Sequence, residues 1–101
     1  MAYEGGALDA TIAAASGGDE ALYREIRGAF VESAERQLDL LRRARCDGNW
    51  HIAALRLKGL ASSFHDESLL ALAEETANAA PGEPTVLRRI AAHLKILGLT
   101  D

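Results

Sequence analysis

Apolar side chains recur at three- and four-residue intervals along most of this chain, the spacing that lines one side of an α-helix. Between Asn49 and Leu70 the stripe is Trp50, Ala53, Ala54, Leu57, Leu60, Ala61 and Phe64. The opposite surface carries His51, Leu55, Lys58, Gly59, Ser62 and His65, a polar or small set interrupted by one leucine. Upstream, Leu22, Ile26, Phe30, Ala34, Leu38 and Leu41 predict a long helix capped by Asp19 and running to about Arg45. A shorter helix is expected over Ala7 to Ser16, stopped by Gly17-Gly18 and covering one end of the molecule, with residues 1–6 flexible. Downstream, Asp66 or Ser68 caps a helix with Leu69, Leu72, Ala73, Thr76 and Ala80 inward, ended by Pro81-Gly82-Glu83-Pro84. A last helix runs from about Thr85 to Leu97 on Leu87, Ile90, Leu94 and Leu97, with Gly98 as its stop. Asp47-Gly48 breaks the chain before the central helix, and Asn49 is its expected N-cap.

Four amphipathic segments with short connections predict an all-α fold, an antiparallel up-down-up-down four-helix bundle with a short additional N-terminal helix. The 101 residues form one domain, large enough to bury a core without metals or disulfides. A net charge of −4 removes the electrostatic basis for binding nucleic acid or an anionic membrane and points to protein partners. The single cysteine, Cys46, cannot bridge internally, and a packing role is expected for it. With neither a secretory segment nor an apolar run of membrane-spanning length, a cytoplasmic location is expected. Arg42, Arg43 and Arg45 fall at the end of the long helix and Asp19 and Glu20 at its start, so this charge pattern complements the helix dipole.

The run Ala54-Leu55-Arg56-Leu57-Lys58-Gly59, with Phe64 and Leu69 at fixed offsets, resembles the signature of histidine phosphotransfer (HPt) domains. In that family the pattern reads Ala-His-x-Leu-Lys-Gly, followed by an apolar residue, a glycine and a leucine at the offsets of Phe64, His65 and Leu69. The resemblance implies a helical bundle over nearly the whole chain. It also implies a role in two-component phosphorelay signalling, with a response-regulator receiver domain or a histidine kinase as partner. Two positions depart from the pattern: Leu55 stands where the family has its phosphoaccepting histidine, and His65 where it usually has the later glycine.

A phosphohistidine relay needs an exposed neutral imidazole, a nearby cation and open space for the donor. Lys58 and Gly59 meet the last two needs, but leucine has no lone pair to accept a phosphoryl group. His51 lies one turn earlier, about 5.4 Å along the axis, which is far for a transfer that requires near-contact alignment. His65 lies at the helix end, where it reshapes the surface. His93 falls on the flank of the last stripe, so a boundary packing role is expected. Histidines and acids at these spacings make no convincing metal site, and no nucleophile elbow or phosphate loop is present. The expectations are therefore no metal, no cofactor, no self-contained enzyme and a monomer. The partner-binding residues are His51, Leu55, Lys58, Gly59, Ser62 and His65. Two alternatives stand beside this, phosphotransfer by His51 or His65 and a helical self-association module.

Overall fold

The computed structural model describes residues 5–99, all of the regular structure being helical: α1 (Gly5–Ser16), α2 (Glu20–Arg43), α3 (Asp47–Phe64), α4 (Glu67–Ala77) and α5 (Pro84–Leu99). Within α1, Gly5 and Gly6 are already helical, and Met1 to Glu4 of the expected flexible segment lie outside the described residues. The helices end where backbone chemistry ends them. Gly17 and Gly18 take positive φ values of 60° and 88°, conformations a side chain resists. Asp19 then caps α2 by accepting from the Leu22 amide at 3.1 Å, and Asp66 caps α4 by accepting from Leu69 at the same distance.

Other boundaries move from their expected places. Helix α3 starts at Asp47, with Cys46 and not Asn49 at the N-cap and no side-chain cap bond. Asp47 can join the helix because an acidic residue in the first turn complements the dipole, and the Trp50 amide already bonds to the Cys46 carbonyl at 3.1 Å. Helix α2 stops at Arg43, leaving Arg45 beyond it. In α5, Pro84 occupies the first turn, where its missing N–H costs nothing, and Glu83 Oε1 accepts from the amides of Thr85 and Val86. Gly98 is inside this helix and does not stop it.

Helix α3 sits against both α2 and α4, and α5 packs on α2 and α4 from the other side, so helices α2 to α5 surround one core. Helix α1 lies on α2 and α3 and contributes Leu8 and Ile12. The long dimension, 43 Å against 23 and 20 Å, is set chiefly by α2, whose 24 residues span about 36 Å at 1.5 Å each. Trp50, Ala53, Ala54, Leu57 and Ala61 are buried as their spacing predicts, while Leu60 and Phe64 are half-buried at the edge. Phe64 packs tilted on Phe30 with ring centroids 4.7 Å apart. Leu22 instead points out, near the free end of α2, and Ala80 lies exposed beyond the end of α4. Leu87 is half-buried, and Cys46 is exposed and has no packing role.

Two buried polar contacts fix how the helices meet. The Trp50 indole N–H donates to the Thr76 carbonyl at 2.8 Å, a carbonyl in the last turn of α4 that also accepts from the Ala79 amide. At the other end of α4, Asp66 Oδ2 lies 2.7 Å from Nε2 of His93 on α5. Asp66 is 1% exposed and His93 9%. His93 is thus interior, paired with the residue that caps α4, and not a boundary packing residue. No helix among the described residues is long and apolar enough to cross a membrane.

Candidate functional site

The residues singled out on α3 reach the surface because its core stripe faces α2 and α4 and leaves the opposite side uncovered. His51, Leu55, Gly59 and Ser62 are exposed along that side, and Lys58 is half-exposed at its margin. Leu55 stands 46% exposed in the middle. It has no polar atom, so this position can make apolar contacts and no covalent bond to phosphorus.

Lys58 leans toward α4, where its Nζ comes within 3.7 Å of Glu74. Both side chains are about half exposed, so the pair is screened and weak, and the ammonium can turn to another anion. Gly59 is open: a Cβ built on it would meet nothing within 4 Å. A glycine inside a helix costs roughly 0.5–1 kcal/mol relative to alanine, and no neighbour in this fold requires it.

His65 ends α3 in the left-handed region at φ 61°, its amide closing onto the Ala61 and Ser62 carbonyls. Its Nδ1 lies 2.9 Å from the Thr11 hydroxyl of α1. The contact holds the imidazole toward α1 and away from Leu55, ten residues or about 15 Å along the helix axis. His51 is in the first turns of the helix, exposed, one turn before Leu55. The six residues therefore form a line along one helix and not a pocket, with an apolar centre, a cation on one edge and an imidazole toward each end. No group of three metal-ligating side chains occurs among the described residues.

Three features of the site were not anticipated. Ile52 is 49% exposed, one turn from Leu55, and doubles the apolar area at the centre; its spacing of three from Leu55 was a readable signal. The Thr11–His65 and Asp66–His93 contacts join residues 54 and 27 positions apart, for which the sequence carries no local sign. Open grooves lie elsewhere on the surface. One lies between α2 and α5, where Glu35, Leu38, Arg42, Ala91, Leu94 and Lys95 line it.

Fold and site together define an all-α protein, with five helices among the described residues and, on the third, an apolar-centred surface with a cation at its edge. No family model, no curated protein and no solved structure matches this chain.

Proposed function

We propose that this chain is an HPt-like protein of two-component phosphorelay signalling that docks a receiver domain or a histidine kinase through α3 without carrying phosphate itself. In this proposal helices α2 to α5 form an antiparallel up-down-up-down bundle, as short connections between consecutive helices favour, and the protein works in the cytoplasm. The observation that carries it is Leu55. It occupies the reactive position of the Ala-x-x-Leu-Lys-Gly run and stands exposed between His51 and Lys58. In HPt domains this position enters the acidic pocket of the receiver, so a leucine there brings apolar area and no phosphate to the middle of the contact. Leu55 and Ile52 supply the apolar centre. Lys58 supplies a cation that its screened pair with Glu74 does not commit, and Gly59 lets the partner's backbone approach. The protein acts by occupying the partner's docking surface.

Transfer through His51 is the second reading, favoured by its exposure on the same side of α3. His65 is the weaker substitute, because Thr11 already engages its ring. Incubation with phosphorylated receiver domains or with a histidine kinase separates the readings. The parent protein is expected to take up no acid-labile phosphate, and Leu55→His to gain some. Label on the parent that disappears with His51→Ala overturns the proposal in favour of transfer.

A further inference from the structure

The outermost line of α3, directly opposite its core stripe, is Gly48, Ile52, Leu55, Gly59 and Ser62, at steps of four, three, four and three residues. Such steps describe the seam of two packed helices. All five are exposed and none is charged, although a surface helix ordinarily puts its charges there. Charged and polar groups stand on the two flanks, Asp47, His51 and Lys58 on one and Asn49 and Arg56 on the other. Neither glycine is explained by the isolated chain. A Cβ at Gly48 or Gly59 would meet nothing within 4 Å, and neither has the positive φ of Gly17, Gly18 and Gly82.

We propose that this seam receives a second copy of the chain, in an antiparallel two-fold dimer through α3. The steps from Gly48 to Gly59 read the same in both directions. A reversed copy therefore sets Ile52 level with the second copy's Leu55, and Gly48 level with its Gly59. Large side chains meet at the centre, and glycines let the backbones close at both ends. In this antiparallel form the two-fold axis makes each flank face its own equivalent. In this register Asp47 faces Lys58 of the second copy, about 3 Å off level at 1.5 Å per residue, and Asn49 faces Arg56. A parallel two-fold pairing would instead set each flank against the other, placing Lys58 beside Arg56 of the second copy and Asp47 beside its uncharged Asn49. Charge thus selects the antiparallel form, and it does so twice per dimer. One helix face buries well under the roughly 800 Å² per partner of a stable interface, so the dimer is weak, with a dissociation constant on the order of 100 μM. The inference rests on the seam and its flanking charges and is independent of the docking proposal. If both hold, the dimer covers Leu55, and self-association and docking exclude one another.

Sedimentation velocity on the purified chain tests it, from roughly 10 μM to 1 mM, a range bracketing the expected constant. The parent is expected to pass from monomer to dimer across this range. Asp47→Lys alone and Lys58→Asp alone each place like charges face to face and should weaken dimerisation at least tenfold. An equimolar mixture of the two should recover it. Each heterodimer then sets the introduced lysine of one variant against the introduced aspartate of the other, and the unaltered Asp47 against the unaltered Lys58. Far-UV circular dichroism on each variant verifies that the helices remain. A parent that stays monomeric throughout overturns the proposal, as does a mixture that associates no better than its components.

Discussion

Replacing Asp66 with alanine should be among the most costly changes at any polar position of this protein. Its two carboxylate oxygens do different work. Oδ1 accepts from the Leu69 amide and caps α4, while Oδ2 meets Nε2 of His93 at 2.7 Å in a site that is almost dry. Loss of an N-cap costs about 1 kcal/mol, within a range of roughly 0.5–2. Leaving the buried ring nitrogen of His93 without a partner adds about 1–3 kcal/mol. Asp66→Ala should therefore destabilise by roughly 2–4 kcal/mol, a large part of the roughly 5–15 kcal/mol typical of a folded domain. Asp66→Asn keeps a cap acceptor and should lose less. The measurement is urea denaturation of the parent, Asp66→Ala, His93→Ala and the double variant, followed by circular dichroism. Because the two residues share one contact, the double variant should be more stable than the summed single losses imply, by about 1–2 kcal/mol. Additivity within about 0.5 kcal/mol would show that the pair is not coupled and that the destabilisation comes from the cap alone.

The other predictions follow from exposure. Leu57 is fully buried, so Leu57→Ala removes about 2–3 kcal/mol of transfer energy at roughly 0.8 kcal/mol per carbon and leaves a cavity, for a total of about 2–5 kcal/mol. Leu55→Ala should cost less than about 1 kcal/mol, and equal losses in the same urea titration would place α3 the wrong way round. Gly59→Ala should stabilise the monomer by roughly 0.5–1 kcal/mol, since it restores helix propensity in open space, while weakening any contact made over that glycine. Leu55→Glu should leave thermal unfolding nearly unchanged yet weaken binding to a captured receiver or kinase by about 2 kcal/mol or more in titration calorimetry. Unchanged affinity would move the docking surface off α3.

The helices and their inward faces were legible because a 3.6-residue period is a local property of sequence. Trp50, Leu57, Leu69, Ile90 and Leu94 are all in the core where their spacing puts them. Boundaries were less legible, because the contest is decided by neighbours. Asp47 extended α3 past the expected Asn49 cap, and Gly98, without the positive φ of Gly17, Gly18 and Gly82, lets α5 run on to Leu99. Leu22 shows a limit of periodicity, which says which side of a helix faces inward but not whether another helix covers that turn. His93 shows a second limit. Its position at the edge of an apolar stripe gave no hint of the carboxylate waiting on α4, since that pairing depends on how α5 is rotated and how far it slides. At the candidate site the line of residues on α3 was legible, and Ile52 was overlooked beside Leu55 although the same helical period displays both.

The contact between Trp50 and Thr76 gives this protein an internal optical gauge. The chain has one tryptophan, and it is 2% exposed with its indole N–H held by the last turn of α4. Its emission therefore registers separation of α3 from α4 and the entry of water between them. Helix α1 lies elsewhere, anchored by Leu8 and Ile12, by the Thr11–His65 contact and by the hydrogen bond from Tyr23 to Asp9. A short helix with so few anchors opens at lower free energy than the core. Its release would lower ellipticity while leaving the fluorescence where it was, so the gap between the two signals measures α1 alone.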